Sequence, residues 1–242
     1  MRIALISDLH GSEFALNAVL ADIARTGVDQ IVCLGDVATL GPRPREVLAR
    51  LAELRCICIL GNHDEFMLDE QLIQSYSEIP IIVEAVNWCR SQLSPADLEF
   101  ITSFSRRFEL ALNDSGTLLL FHGTPESNCT DLLATTPAER VDELLNGRRA
   151  TVMAGGHTHV QMLRQHRGTL IVNPGSVGLA FKEHVAGKTP TLLPHAEYAV
   201  IEAVAGDVAV SLRRVALDKA ELREAAAAVQ HPLKNWMLEM YS

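Results

Sequence analysis

Short β-branched and apolar runs alternate with helical patterns along most of the chain. This alternation constrains the fold strongly, because strand–helix–strand units place helices on the faces of a sheet. We therefore predict an α/β fold. The runs predicted to be strands are Arg2–Ser7, Gln30–Leu34, Cys56–Leu60, Thr117–Phe121, Thr151–Ala154 and Thr169–Val172.

Helix starts and ends are marked by capping residues. One helix is predicted to follow Ser12 and to end at Gly27, which supplies a C-cap. A second begins at Pro44, because proline is tolerated in the first helical turn. Ser94 marks a further helix start, and Thr136-Pro137-Ala138-Glu139 matches a capping box.

Two segments extend the alternating pattern. Residues 65–110 are predicted to be wholly helical, as an insertion that either packs on the sheet or forms a lid that shapes a substrate pocket. Tyr198–Val204 and Val208–Val215 are predicted to form an antiparallel hairpin. A helix from Asp218 to about Gln230 follows, within a C-terminal helical appendage at 216–242.

Length and composition indicate one globular domain over residues 1–242. Hydrophobic residues make up 48% of the chain and charged residues 21%, which excludes a disordered protein. The N-terminal residues lack the apolar region of a signal peptide, and no apolar stretch is long enough to span a membrane. These features predict a cytoplasmic protein without a membrane partner.

The net charge of −9 disfavours a nucleic-acid partner, because duplexes are held mainly through Lys and Arg contacts with phosphates. The five cysteines are predicted to be reduced and structural, since Cys33, Cys56 and Cys58 lie within apolar runs. Small anionic substrates remain compatible with this charge balance, because bound metals can supply local positive charge. The sequence leaves the oligomeric state open.

Five of the predicted strands end in clusters of metal-ligand residue types. Ligands of open α/β sheets bind beyond the carboxyl ends of the strands, so these clusters are expected to converge on one edge. A single Gly-Asp or Asp-x-His is more often an ordinary turn, and only the combination of clusters in this order indicates a site. The clusters are Ser7-Asp8-Leu9-His10, Gly35-Asp36, Gly61-Asn62-His63-Asp64, His122-Gly123 and Gly156-His157-Thr158-His159.

This series of motifs resembles the calcineurin-like metallophosphoesterase superfamily, in which D-x-H, G-D, G-N-H-D/E, H and G-H-x-H follow one another. The resemblance runs from Asp8 to His159, about two thirds of the chain. Asn173-Pro174-Gly175-Ser176 is similar to the segment that follows the last motif in small bacterial phosphodiesterases of this superfamily. The resemblance implies a four-layer α-β-β-α sandwich with two mixed β-sheets.

The same resemblance implies two divalent metal ions. One would be held by Asp8, His10, Asp36 and His159, and the other by Asp36, Asn62, His122 and His157, so that Asp36 bridges the pair. Imidazole, carboxylate and amide ligands without thiolate favour Mn²⁺, Fe or Zn²⁺. A shared carboxylate reduces the repulsion between two cations and suits them to clamp a phosphoryl group.

The resemblance implies a small phosphorylated molecule as the substrate, and hydrolysis of its phosphate ester by water activated between the metals. His63, which is not a predicted metal ligand, is expected to protonate the leaving oxygen. Asp64 is expected either to orient His63 or to cap the following helix, and the cap is favoured. The substrate-binding residues are not identified by the sequence.

Several rival functions remain open to different degrees. A protein phosphatase is disfavoured because residues 35–41 lack the second Asp and the Arg of its G-D-x-x-D-R-G motif. Arg43 and Arg45 are candidates for a replacement phosphate contact, but a solvated turn and helix start is the preferred interpretation of these residues. A phosphodiesterase or phosphatase is preferred to a diadenosine polyphosphate hydrolase or a nuclease. A non-catalytic scaffold is disfavoured because all the expected ligands and His63 are intact.

Overall fold

The structure is a computed structural model that describes residues 1–184 and 190–241. Its strands are β1 (Arg2–Ile6), β2 (Gln30–Cys33), β3 (Ile57–Cys58), β4 (Phe108–Ala111), β5 (Thr117–Leu120), β6 (Val152–Ala154), β7 (Met162–His166), β8 (Thr169–Asn173), β9 (His195–Val204) and β10 (Asp207–Ala216). Its helices are α1 (Glu13–Thr26), α2 (Pro44–Leu54), α3 (Asn62–Leu68), α4 (Leu72–Tyr76), α5 (Pro80–Gln92), α6 (Pro95–Thr102), α7 (Ala138–Leu145), α8 (Lys219–Ala227) and α9 (Lys234–Met240). Ser242, the last residue of the predicted C-terminal appendage, lies outside the described residues.

The strands form two mixed sheets. The first has the order β10-β9-β1-β2-β3, in which β1, β2 and β3 are parallel and β9 and β10 are antiparallel to their neighbours. The second has the order β4-β5-β6-β8-β7, with parallel strands in the centre and an antiparallel strand at each edge. Helices α1 and α2 join the three parallel strands of the first sheet, as the alternating pattern predicts.

Alternate side chains of β1 enter different cores, because successive residues of a strand point to opposite faces. Ile3 and Leu5 lie with Leu118 of β5 in a core between the two sheets. Ala4 and Ile6 lie in a second core with the buried faces of α1 and α2. A third core joins the other face of the second sheet to α7. These layers confirm the predicted four-layer α-β-β-α sandwich.

The register of the parallel strands brings their carboxyl ends together. Cys33 of β2 is opposite Ile6 of β1 and Cys58 of β3, so these three strands end at one level. In the second sheet Leu120 of β5 is opposite Ala154 of β6. In each sheet, the polar clusters that follow these strands therefore begin at the same edge.

The capping predictions have mixed outcomes. Gly27 ends α1 with φ 71° and donates its backbone N–H to Ile23 O at 2.9 Å, and Pro44 is the first residue of α2. At the start of α6, Ser94 and Asp97 form a reciprocal capping box.

The predicted capping box at Thr136 is wrong. Pro137 takes the N-cap position of α7, and the Thr136 hydroxyl accepts the N–H of Leu133 at 3.0 Å instead. The hydroxyl therefore closes the turn before the helix and does not cap the helix itself.

The segment 65–110 is not wholly helical, because residues 108–110 belong to β4 at the edge of the second sheet. β4 is only four residues long and largely exposed, so its Phe-Glu-Leu-Ala alternation is too short to stand out after a long helical pattern. The other edge strand, β7, exposes its middle residues and escaped prediction for the same reason.

The C-terminal part contains the predicted hairpin, in which Val204 of β9 pairs with Asp207 of β10. Helix α8 ends at Ala227, and a second short helix, α9, follows it. Ala226 of α8 and Met237 of α9 pack with Ala85 of α5, so small side chains allow the appendage a close approach. Within residues 1–184 and 190–241, no helix combines the length and apolar character needed to cross a membrane.

Candidate metal centre

Five of the seven predicted metal ligands have a left-handed backbone conformation. This conformation costs a non-glycine residue about 1–2 kcal/mol and is concentrated at functional sites. Hydrogen bonds between neighbouring loops hold it in place: Asp8 N–H donates to Gly35 O at 2.9 Å and His10 N–H to Asp36 O at 3.0 Å. The φ angles are 53° at Asp8, 43° at His10, 56° at Asp36, 68° at His157 and 57° at His159.

The structure brings the predicted ligands into two groups that share one residue. Asp8, His10, Asp36 and His159 form the first group, which we call site 1. Asp36, His122 and His157 form the second, site 2. Within each group the ligand atoms lie within 4.8 Å of one another. A carboxylate common to two such groups is the arrangement that a pair of cations needs.

Nitrogen and oxygen atoms crowd together at the centre of site 1. The Nε2 atoms of His10 and His159 are 3.0 Å apart, and His159 Nε2 is 3.3 Å from Asp8 Oδ1. In site 2, His122 Nε2 lies 3.3 Å from Asp36 Oδ2. All of these side chains are buried, so water does not separate their charges. Atoms with lone pairs converge here as they do around metal ions.

The other ring nitrogens of the histidines are tied to the protein. The Nδ1 atoms of His122 and His159 donate to the carbonyl oxygens of Leu34 at 2.6 Å and Leu179 at 2.8 Å. Because these Nδ1 atoms carry the hydrogens in the neutral rings, the Nε2 atoms keep lone pairs for a ligand. His10 Nδ1 lies 3.0 Å from the Thr39 hydroxyl, which is able either to donate or to accept.

The surroundings of the Asn62 side chain indicate whether the residues of the two sites suit a metal. Its side chain is fully buried, and neither its Oδ1 nor its Nδ2 has a hydrogen-bond partner among the residues described. A buried amide without partners costs about 1–3 kcal/mol, so such groups usually serve a ligand. An amide oxygen beside carboxylates and imidazoles suits a divalent ion. The side chains present therefore fit the two metal ions that the sequence predicts.

The electrostatics of the site favour positive charge. Burial opposes ionisation of Asp36, yet His122 and His63 lower the pKa of its carboxyl well below the ordinary value. Burial likewise opposes protonation of His122, but Asp36 and Asp8 raise its pKa to about 10. The buried carboxylates of the site thus require a neighbouring positive charge, which metal ions would supply.

His63 lies beside site 1 and not within either ligand group. Its ring packs edge-on against His10 with the centroids 5.1 Å apart, and it lines the open cavity of the site. Burial, opposed by Asp36, lowers its pKa to about 4. Its Nδ1 has no hydrogen-bond partner within the described part of the chain, so its position comes from ring packing against His10 and Phe66.

Asp64 caps α3, as favoured from the sequence, and it also has a role that the sequence did not reveal. Its carboxylate accepts the backbone N–H of Gly61 at 2.9 Å, which is the cap. It also accepts the N–H groups of Asp36 and Val37, each at 2.8 Å. No bond to His63 is seen in the residues described. Asp64 therefore fixes the loop that carries the shared carboxylate.

Glycines next to the ligands allow the loops to approach closely. A Cβ on Gly61 would overlap the Asp36 carboxylate, and a Cβ on Gly156 would overlap Ser7 Oγ and the Asp8 carboxylate. The glycines that precede Asn62 and His157 in their motifs are thus explained by contact between loops.

A cavity of about 210 Å³ opens over the ligands, and its lining includes four aromatic or ionisable residues that the sequence did not mark as site residues. These are Tyr76, Asp131, Phe181 and His184. They lie at the end of α4 or in loops, so no strand end marked them. Phe181 packs on His159 with ring centroids 4.3 Å apart, and Tyr76 lies 6.1 Å from the His63 ring. The substrate side of the site thus has aromatic walls.

Arg43 and Arg45 do not line this cavity. Arg43 pairs with Glu13 at 3.5 Å, and Arg45 pairs with Asp97 at 3.3 Å. Neither arginine therefore lies where it would replace the phosphate-binding arginine of protein phosphatases.

Comparison with known proteins agrees with this geometry. The model of the calcineurin-like phosphoesterase superfamily domain matches residues 1–196. The chain is 27% identical over 192 residues to the phosphodiesterase YfcE of Escherichia coli, a match that covers 74% of this chain and 80% of that protein. It is 29% identical over 178 residues to an uncharacterized protein of Methanocaldococcus jannaschii, covering 73% and 70%.

A solved structure shows the same likeness over the full length. The crystal structure of a metallophosphoesterase from Sphaerobacter thermophilus superposes with a TM-score of 0.78 at 26% identity, covering 100% of this chain and 98% of that one. The family model alone spans well over half of the chain. The chain therefore belongs to the calcineurin-like phosphoesterase superfamily and is a metallophosphoesterase, an enzyme that hydrolyses phosphoric esters.

Proposed function

We propose that this enzyme hydrolyses a small phosphodiester, with two divalent metal ions held at sites 1 and 2. The observation that carries the proposal is the position of Asp36, whose carboxylate belongs to both ligand groups. Asp8, His10 and His159 complete site 1, and His122, His157 and Asn62 complete site 2. When bound, the two ions neutralise the phosphoryl oxygens and acidify the attacking water.

The protein residues position the reactants around this centre. Asp64 and the glycines beside the ligands fix the loops, which keeps the ligand atoms in place before substrate arrives. His63 faces the cavity and donates a proton to the leaving oxygen.

The cavity favours a phosphodiester over a more highly charged substrate. Considering the described residues alone, neither Lys nor Arg lines it. A phosphodiester has one negative charge, which the metal centre is able to neutralise, whereas a polyphosphate chain needs further cationic partners. Tyr76 and Phe181 provide apolar surface for the groups esterified to the phosphate.

The similarity to the phosphodiesterase YfcE supports the same substrate class. Phosphomonoesters remain the nearest alternative, since the same centre is able to cleave them. The predicted metals, which are Mn²⁺, Fe or Zn²⁺, and the cytoplasmic location stay proposals, and so does the preference for a small molecule over nucleic acid.

The direct test is release of p-nitrophenol from bis-p-nitrophenyl phosphate by protein freed of metal and then supplied with Mn²⁺, Fe²⁺ or Zn²⁺. We expect turnover that depends on added metal and is abolished by a chelator. Metal-independent turnover or none at all contradicts the proposal, and the second result matches a scaffold protein. A parallel panel of p-nitrophenyl phosphate, diadenosine tetraphosphate and single-stranded DNA separates the phosphatase, polyphosphate hydrolase and nuclease alternatives.

A further inference from the structure

Asp131 stands apart from the predicted ligands but contacts one of them. It lies in the loop between β5 and α7, and its Oδ1 is 3.3 Å from Nε2 of His157. Its second oxygen, Oδ2, is 3.3 Å from Nε2 of His184. Asp131 and both histidines line the cavity over the metal centre. One carboxylate thus connects a predicted ligand of site 2 with a histidine at the cavity wall.

His157 differs from the other imidazoles of the centre in the nitrogen that contacts the protein outside the ligand groups. His10, His122 and His159 use Nδ1 for this contact, with a hydroxyl or a backbone carbonyl as the partner. His157 instead has its Nε2 3.3 Å from the carboxylate of Asp131, which belongs to neither ligand group. A neutral imidazole with its hydrogen on Nε2, facing this carboxylate, has its lone pair on Nδ1. The position of Asp131 thus points to Nδ1 of His157 as the nitrogen that would bind metal.

The loop around Asp131 is anchored on both sides, so the carboxylate is held at a fixed place. Before it, the Asn128 side-chain amide donates to Glu65 Oε2 at 2.9 Å. After it, Leu132 is buried in the core beneath α7, and Arg164 donates to the carbonyl oxygen of Thr136 at 2.6 Å. Asp131 itself is about half exposed, with 45% of its side-chain surface accessible, and so adds little to the packing.

We propose that Asp131 is a positioning residue that orients His157 and sets its tautomer for metal binding at site 2. The inference rests on the proposed metal-dependent function. A carboxylate behind a histidine ligand also makes the imidazole more basic, and loss of such a partner typically weakens metal binding by about 10–100-fold.

The test compares Asp131→Ala and Asp131→Asn with Asp142→Asn. Asp142 is the matched control, because its carboxylate lies 2.8 Å from Nε2 of His166, a histidine that does not line the metal cavity. Nitrogen chemical shifts of the histidine rings in the metal-free protein at neutral pH report the tautomers, with the His157 signal assigned from its loss in His157→Gln. Titration followed by the electron paramagnetic resonance of free Mn²⁺ reports the affinities.

We expect the wild type to hold His157 with its hydrogen on Nε2 and to bind two Mn²⁺ ions. Asp131→Ala is expected to give a mixture of the two tautomers of His157. It is also expected to lower the affinity for one of the two Mn²⁺ ions by about 10–100-fold, with the affinity for the other unchanged. Asp131→Asn, which keeps the size of the side chain, is expected to show a smaller loss of affinity for the same Mn²⁺ ion. Asp142→Asn is expected to match the wild type in both measurements.

Three results overturn the inference in distinguishable ways. If the wild type binds two ions and Asp131→Ala does the same with an unchanged tautomer, only the role of Asp131 is refuted. If Asp131→Ala loses both equivalents together with a lower melting temperature, Asp131 supports the loop and does not position His157. If the wild type binds no Mn²⁺, Zn²⁺ or Fe²⁺, the proposed function fails and this inference fails with it.

Discussion

The Nε2 atoms of His10 and His159 lie 3.0 Å apart, although the two residues are separated by 149 positions in the chain. These two nitrogens form a hydrogen bond if one ring donates to the other. The Nδ1 of His159 already donates to Leu179 O, so its Nε2 accepts and His10 Nε2 is the donor. His10 Nδ1 then accepts from the Thr39 hydroxyl. Metal binding needs the opposite tautomer of His10, and the hydroxyl of Thr39 accommodates both.

Replacing Thr39 is therefore predicted to impair site 1. Thr39→Val removes the hydroxyl at nearly constant volume and leaves His10 Nδ1 buried without a partner when metal is bound. We expect about a tenfold loss of metal affinity at site 1, as for other partners of histidine ligands, measured by Mn²⁺ titration. Thr169→Val is the control, because that buried hydroxyl donates to Ala150 O, outside the ligand groups. Equal affinities in the two variants contradict the prediction.

Substitutions of Asp36 and of His63 are predicted to differ in their effects, because the first should abolish metal binding and the second mainly turnover. Asp36→Asn removes the charge shared by both ligand groups, so we expect metal loss at both sites and no measurable activity. His63→Ala leaves every predicted ligand in place, so we expect near-normal metal content with kcat lower by about 10²–10⁴-fold. Metal analysis of purified variants together with kinetics provides the test. Full metal and wild-type turnover in Asp36→Asn is the contradicting result.

Asp64 is predicted to matter for stability as well as activity. Asp64→Ala leaves three backbone N–H groups without their acceptor, including that of Asp36, and each buried orphan costs about 1–3 kcal/mol. We expect a lower melting temperature in the metal-free protein and weaker metal binding. Asp97→Ala is the comparison, because it removes a similar cap on the more exposed helix α6 and leaves the metal centre alone. Similar metal affinities in both variants contradict this prediction.

The sequence was sufficient to predict those site residues that come shortly after a strand. Asp8, Asp36 and His122 each come directly after an apolar run, and the ends of parallel strands share an edge, so their convergence follows from topology. The resemblance to a known family supplied the second sheet and the division of ligands between two metals.

Other parts could not be predicted for physical reasons. Asp131 and Tyr76 reach the cavity through long-range packing of a loop and a short helix, and no local pattern encodes such a contact. The edge strands β4 and β7 are short and partly exposed to solvent, so each gives only a weak strand signal in the sequence. Thr136 resembled a helix cap because the motif has the right spacing, but Pro137 moved the helix start by one residue.

Tyr76 is predicted to contribute to binding of the substrate's organic groups. Its ring is 48% exposed at the end of α4, within the predicted insertion at 65–110, and lies against Phe66 and His63. Tyr76→Ala is expected to raise KM for bis-p-nitrophenyl phosphate by about 2–10-fold with kcat nearly unchanged, because a ring contact contributes about 0.5–1.5 kcal/mol. Tyr76→Phe keeps the ring and is expected to match the wild type. An unchanged KM in Tyr76→Ala indicates that substrate does not reach this wall.

His231 is predicted to make docking of the C-terminal helices sensitive to pH. It is 4% exposed, its Nδ1 accepts the N–H of Leu233 at 3.0 Å, and its ring packs edge-on against Trp88 at 4.6 Å. Burial lowers the pKa of His231 to about 4, below the ordinary value of 6.5. The folded state therefore favours the neutral ring, and the contribution of His231 to the stability of the folded protein is complete above pH 6.5. That contribution is lost as the pH falls from 6.5 towards 4, because the unfolded chain binds the proton more readily.

The measurement is the melting temperature of the metal-free protein at pH 7.5 and at pH 5.5. His231→Asn provides the comparison, since its side-chain oxygen is able to accept the Leu233 N–H but does not titrate in this range. Other groups titrate in both proteins, so the difference between their pH responses isolates His231. A loss on the order of 1 kcal/mol corresponds to about 2–4 °C in a protein of this size, and we expect the wild type to lose that much more than the variant on acidification. Equal pH responses would show that protonation of His231 costs nothing, and hence that its ring is accessible to water in the folded protein.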